Sequence, residues 1–244
     1  MKLIMFENYP KIRPELPADF QRIYNEHYKN NREGETTGAS LAQKMESWMH
    51  KKVAKDVKKE NQKSTLEIGA GTLNQLKYEK TTPYDIIEPF TELYSNSPYL
   101  EHIRNIYKDI DEIDLSTKYD RITSIATFEH ILDLPKVVAK CALLLNKNGV
   151  LRAAIPNEGT ILWKLGWKFT TGLEFKSKYG LNYEILMKHE HVNTAREIEE
   201  VVSRFFKKCK CSCFGLGKKI AFYRFYECFE PDVELAKTYL TQNS

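Results

Sequence analysis

From residue 65 onward, short apolar runs alternate with stretches of helical spacing. TLEIGA (65–70), YDIIEP (84–89), IRNIYKD (103–109), YDRITSIAT (119–127) and GVLRAAIP (149–156) are short, apolar and flanked by turn residues, which predicts strands. LPKVVAKCALLLNKNG (134–149) has a helical period and ends on Gly149, placed as a helix stop. NTAREIEEVVSRFF (193–206) predicts another helix, followed by two final strand-like runs, KCKCSCFG and KIAFYRFYECF. Strands alternating with helices require right-handed crossovers and predict an α/β fold, a mostly parallel sheet covered on both faces. Upstream, Leu41, Met45, Trp48, Met49 and Val53 fall at spacings of three and four and define one apolar helix face. Residues 1–20, with Pro10, Pro14 and Pro17, read as an extended arm. The expected organisation is an arm and helical cap over 1–60, then a core over 61–244 with an aromatic-rich insertion at 157–190.

With 244 residues the chain suits one well-buried domain with elaborations. Apolar residues make up 42% of it, but no stretch approaches the ~20 uninterrupted apolar positions of a membrane span. The N-terminus meets acids and prolines too soon for a secretory signal. The five cysteines read as reduced thiols, and a cytoplasmic location is expected. The net charge of +4 comes from lysines in solvated clusters, without interleaved aromatic residues, so no nucleic-acid partner is expected.

The chemistry begins at STLEIGAGTLNQLK (64–77). A dinucleotide loop needs a third glycine, and that position is Asn74. Glu67, just ahead of Gly69 and Gly71, would repel a pyrophosphate but suits a cofactor with a cation, such as the ammonium of S-adenosylmethionine. Glu88 follows Gly69 by nineteen residues, near the spacing at which an acid reaches ribose hydroxyls. Asp109 ends the next expected strand, where it could meet an adenine amino group. A nicotinamide oxidoreductase is disfavoured by Asn74 and Glu67.

These features, with FEHI after the fourth strand and LLNKNGVLRAAIPN leading into the fifth, resemble the class I S-adenosylmethionine-dependent methyltransferases. Leu73 and Asn148 stand where many members have glycine. The resemblance implies a Rossmann-like sheet of seven strands, the last antiparallel. It also implies S-adenosylmethionine as cofactor, held by Glu67, Gly69, Gly71, Glu88, Pro89, Asp109, Ile110 and Thr127. The N-terminal SLAQKMESWMHKKVA resembles, more loosely, cap helices of enzymes that methylate bacterial capsule and lipopolysaccharide precursors. The acceptor is therefore expected to be a hydroxyl on a sugar, sugar nucleotide or related small molecule, anionic in some cases. A hydroxyl must lose a proton, and His130 or His191 is the expected base. Tyr28, Arg32, Glu129, Asn157 and Glu158 are the candidate acceptor contacts, with Tyr24 as a neighbour of the first two. Trp163, Trp167, Phe169 and Tyr179 either stack on the acceptor or pack against the cap. The motif His189-Glu190-His191 lacks a further ligand at metal spacing, and Cys209, Cys211 and Cys213 along one strand face read as packing, so no metal is expected. Two alternatives stay open: a cofactor-binding partner module without activity, and an N-methyltransferase of a small metabolite.

Overall fold

The computed structural model describes residues 6–24, 39–57 and 62–243, with side chains in the second stretch described from residue 43 onward. Seven strands form one sheet in the order β3-β2-β1-β4-β5-β7-β6. They are β1 (Thr65–Ile68), β2 (Tyr84–Ile87), β3 (Asn105–Tyr107), β4 (Tyr119–Ile125), β5 (Leu145–Pro156), β6 (Phe206–Gly215) and β7 (Ala221–Pro231). Strands β1 to β5 run parallel, and β7 lies antiparallel to both β5 and β6. This is the seven-stranded, Rossmann-like arrangement with an antiparallel last strand that the resemblance implies. Every residue of β1 and β2 is buried, as expected for central parallel strands covered on both faces.

The helices include α1 (Ala39–Val53), α2 (Thr91–Tyr94), α3 (Leu134–Leu144), α4 (Ile161–Phe169), α5 (Thr171–Tyr179), α6 (Tyr183–Glu190), α7 (Ala195–Phe205) and α8 (Val233–Gln242). Local chemistry sets their ends. Asp133 caps α3 by accepting from the Lys136 amide, with Pro135 in the first turn. Thr194 and Glu197 form a reciprocal capping box that starts α7. The apolar face of α7, Ile198, Val201, Val202 and Phe205, then joins α3 and the sheet in the main core. No helix among the described residues is long and apolar enough to cross a membrane.

Three expectations are corrected. Helix α3 ends at Leu144, not at Gly149, because Leu145 is already extended and pairs with Tyr119 of β4. Gly149 instead lies within β5, where a Cβ would stand 2.9 Å from the Leu145 side chain and 3.0 Å from the Asn146 carbonyl oxygen. Strand β3 is only Asn105–Tyr107, so Asp109 lies beyond it and caps the next turn through the Asp111 amide. Not all cysteines are free thiols: Cys209 and Cys228 are register partners on β6 and β7, with Cα atoms 4.1 Å apart, and are joined as a disulfide. Cys141, Cys211 and Cys213 remain free.

Helix α1 lies against the sheet, with Met49 and Val53 packed on Ala154 and Phe225. Its C-terminal end receives two buried guanidinium groups. Arg152 donates to the carbonyls of Lys52 (2.7 Å) and Val53 (2.9 Å), and Arg121 donates to Val53 (3.1 Å). These cations complement the negative end of the helix dipole. Asp56 lies 3.3 Å from Arg121 Nε and 3.1 Å from Arg152 Nε, and Glu79 lies 2.7 Å from Arg121. On the other side, the N-terminal arm is strapped over the end of the sheet. Tyr9 donates to Asn193, while Arg13 donates to the carbonyls of His130 and His189.

Candidate active site

A cavity of about 730 Å³ opens at the carboxyl ends of β1, β2 and β4, and Glu67, Gly69, Gly71, Glu88, Asp109 and Thr127 are in its wall. This is the crevice in which open α/β sheets bind ligands. The turn after β1 depends on its glycines. Gly69 has φ +70°, and a Cβ there would lie 2.3 Å from the Thr127 hydroxyl oxygen. Gly71 has φ +52°, and a Cβ there would meet nothing within 4 Å, so its backbone faces open space. The Gly71 N–H donates to one oxygen of the buried Glu88 carboxylate at 2.8 Å, and the Phe90 N–H donates to the other at 3.2 Å. Glu88 is thereby held at the mouth of the glycine turn with both oxygens positioned. Pro89 and Ile110 also line the cavity. Carboxylates at three points fit a phosphate-free nucleoside with a cationic tail, and Arg13, also in the wall, is engaged by the His130 and His189 carbonyls.

Glu67 is buried beneath the loop and accepts from the Tyr84 hydroxyl at 2.8 Å. Burial pushes its carboxyl up to about 8, with the Tyr84 hydrogen bond opposing. A carboxyl whose pKa is raised on folding binds its extra proton between its unfolded value, ~4.3, and about 8. Its contribution to stability is thus greatest below that window and is lost as pH rises through it. An ammonium ligand reverses the preference by favouring the carboxylate. Binding of S-adenosylhomocysteine (SAH) at pH 7 is therefore expected to release up to about one proton, and affinity is expected to rise with pH toward 8. Calorimetry in two buffers of different ionisation enthalpy reads this directly. Equal release by Glu67→Gln would remove Glu67 as the source.

Beyond Thr127, the turn Phe128–His130 follows β4. The residue before Thr127, Ala126, has φ +50°, a strained geometry for a side-chain-bearing residue beside a site. His130 lines the cavity, and its ring stands 4.9 Å from that of His191, at the end of α6. His130 Nδ1 is 2.9 Å from the Glu190 carbonyl oxygen, and His191 Nδ1 is 2.7 Å from a Glu158 carboxylate oxygen. Trp163 Nε1–H donates to that same oxygen at 2.6 Å. Burial is the largest influence on Glu158 and raises it, but the interactions with His191 and the hydrogen bonds from the Gly159 amide and Trp163 together outweigh it, and the carboxyl lies below its ordinary range. Glu129 is buried, and burial pushes it up to about 7 against the opposing charge of His191.

The structure thus gathers His130, His191, Glu129 and Glu158 into one cluster and sets Asn157 apart. The Asn157 amide donates to the carbonyls of Lys218 and Ala221 and accepts from Arg224 Nε at 2.6 Å. That fully engaged, buried group ties β5 to the β6–β7 hairpin. Neither it nor Glu129, Glu158 and His191 is in the cavity wall, which His130 alone of these residues lines. Tyr28 and Arg32 lie outside the described residues. Tyr24 lines the cavity, and its hydroxyl donates to Glu190. His189 turns away to the Pro14 carbonyl at 2.7 Å. Of the aromatic insertion, Trp163 alone among the four named residues joins the histidine cluster. Trp167 packs on Tyr183, Tyr179 on Phe175, and Phe169 is exposed. Sequence reasoning missed Arg13, Glu190 and the α1 residues Glu46 and His50, all in the cavity wall. Only the helical period of α1 hinted that one of its faces would be engaged.

A family model described as a methyltransferase domain matches residues 41–205, more than half of the chain. No curated protein sequence matches it. Among solved structures, a SAM-dependent methyltransferase of Thermotoga maritima, described as a possible histamine N-methyltransferase, superposes with a TM-score of 0.57 at 14% identity, over 87% of this chain and 98% of that one. The plantazolicin methyltransferase BpumL, in complex with a monoazolic desmethylPZN analog and SAH, gives 0.59 at 12% identity over 86% and 93%. Magnesium protoporphyrin IX methyltransferase from Synechocystis PCC 6803, with bound SAH, gives 0.54 at 9% identity over 87% and 97%. At these identities the likeness is one of fold. Together, the matched family model, the sheet order and the cavity at the glycine turn establish that the chain belongs to the methyltransferase-domain family.

Proposed function

We propose that this S-adenosylmethionine-dependent methyltransferase O-methylates a small polar acceptor, a sugar, sugar nucleotide or related surface-polysaccharide precursor, in the cytoplasm. The observation that carries this reading is one cavity lined both by the carboxylates Glu67, Glu88 and Asp109 and by His130. S-adenosylmethionine, when bound, supplies a methyl group already activated on a sulfonium. Glu67 would pair with the ammonium of such a ligand, Glu88 would accept from the ribose hydroxyls, and Asp109 would accept at the adenine edge. The chain's remaining tasks are orientation and removal of the acceptor proton. Hydrogen bonds at Nδ1 to oxygen acceptors place the proton on Nδ1 of both His130 and His191, so each neutral ring keeps its lone pair on Nε2. That tautomer is the one able to accept a hydroxyl proton.

The test is SAH formation across panels of sugars, sugar nucleotides, phosphorylated sugars and small amines. Turnover with a hydroxyl acceptor is expected, and His130→Ala is expected to lower kcat by ~10²–10⁴-fold while SAH affinity stays unchanged. Turnover with amines alone would replace the O-methyl reading by an N-methyl one.

A further inference from the structure

No metal is expected from the sequence, where His189-Glu190-His191 and the three cysteines of β6 are the candidates weighed, yet the fold brings a different set together. Glu129, His130 and His191 each present one ligand atom, and these three atoms lie within 4.8 Å of one another. We propose that this cluster binds one divalent transition cation of the zinc, manganese or iron(II) class, at the side of the cavity that His130 lines. The inference rests on the reading that this end of the cavity receives the acceptor.

Three observations support the site. First, both rings are oriented as ligating histidines are: Nδ1 of His130 meets a carbonyl oxygen at 2.9 Å and Nδ1 of His191 meets a carboxylate at 2.7 Å. Such outer partners place the ring proton on Nδ1 and raise the basicity of the other ring nitrogen. Second, Glu158 is itself held by Trp163 Nε1–H at 2.6 Å, so the outer shell is braced. Third, Glu129 is 1% exposed, and its Oε2 atom is buried with no hydrogen-bond partner among the described residues. A buried carboxylate oxygen without a donor is costly unless a cation satisfies it. Two imidazoles and one carboxylate select transition cations over magnesium or calcium, which prefer all-oxygen shells. Three protein ligands leave room for water or for the acceptor hydroxyl. A hydroxyl on the cation ionises more readily: its O–H bond breaks, the electron pair stays on oxygen, and the proton leaves to water. The cation would thereby take over from the imidazoles in preparing the acceptor oxygen.

The full-length protein, dialysed against EDTA and then freed of it, is titrated with zinc sulfate by calorimetry and in competition with a chromophoric chelator. Uptake of one ion per chain is expected, and cobalt(II) in its place is expected to give visible d–d absorption of mixed nitrogen and oxygen ligation. Glu129→Gln, nearly isosteric, is expected to weaken zinc binding at least ~10-fold, and His191→Ala more strongly. His189→Ala should leave it unchanged. Far-UV circular dichroism checks the fold of each variant. If the ligand variants lose it, Glu158→Gln, which alters only the outer partner of His191, carries the comparison, with a loss of ~10-fold expected. No uptake, or uptake that these substitutions leave undiminished, overturns the site. SAH titration of the same samples separates the two readings. SAH binding without zinc uptake overturns the cation site alone, whereas zinc uptake without SAH binding overturns the methyltransferase reading and leaves the cation site standing.

Discussion

Replacing Glu88 with alanine is expected to reduce SAH affinity by ~100-fold or more, the largest binding effect of any single site residue. Two effects combine. The carboxylate is positioned to accept from ribose hydroxyls, and a hydrogen bond to a charged group contributes ~1.5–3 kcal/mol, so losing two costs at least ~3 kcal/mol. The same carboxylate also holds the Gly71 N–H at 2.8 Å and the Phe90 N–H at 3.2 Å, so its loss loosens the cradle as well as removing the acceptor. Glu88→Gln keeps the shape and one acceptor oxygen but lacks the charge, and it should fall between the two. Isothermal titration with SAH measures all three proteins, with circular dichroism confirming the fold. An alanine variant within threefold of the parent would show that Glu88 serves the loop alone and that the ribose is held elsewhere.

What could be read from the sequence was local or periodic. The glycine turn, the acid ahead of it and the acid at the end of β2 follow from strand runs and loop spacing. The structure brings Glu67, Gly69, Gly71 and Glu88 to one cavity. Asp109 shows the limit of that method. Periodicity extended β3 to residue 109, yet the strand ends at Tyr107 and a capping turn takes over. Gly149 misled in the opposite sense, since a glycine can end a helix or fit a crowded strand, and only the pairing of Leu145 with Tyr119 decides. Contacts between distant segments left no signature at all. Nothing near Arg13 in the chain announces that its guanidinium will hold the carbonyls of His130 and His189. Asn157 looked free to meet an acceptor because its partners, the Lys218 and Ala221 carbonyls and Arg224, come from a hairpin far along the chain. The pairing of Cys209 with Cys228 depends likewise on the register of β6 against β7.

The largest expected loss of stability lies in a charged group that the fold buries completely. Arg121 is 0% exposed, and Arg121→Met is expected to destabilise the fold by ~3–5 kcal/mol. Its guanidinium contacts Glu79 at 2.7 and 3.1 Å, Asp56 at 3.3 Å, the Thr65 hydroxyl at 3.2 Å and the Val53 carbonyl at 3.1 Å. Methionine fills most of the volume but leaves the Glu79 carboxylate in the interior without its cation. An uncompensated buried charge costs more than the intact pair contributes. For a chain of this size, the loss corresponds to a fall in Tm of roughly 10 °C. Denaturant unfolding followed by circular dichroism supplies the free energy. The double variant Arg121→Met, Glu79→Gln should recover part of the loss, because the stranded charge is removed. A decrease below ~1 kcal/mol, or a double variant no better than the single one, would mean that the carboxylates find water or protons instead of needing Arg121. The consequence reaches the active site, since Arg121 holds the end of the helix that places Glu46, Met49 and His50 in the cavity wall. The same variant is therefore expected to bind SAH more weakly than the parent even where it remains folded. Alanine at Glu88 would differ in lowering affinity without a comparable fall in Tm, and this separates a residue that touches the ligand from one that holds the wall in place.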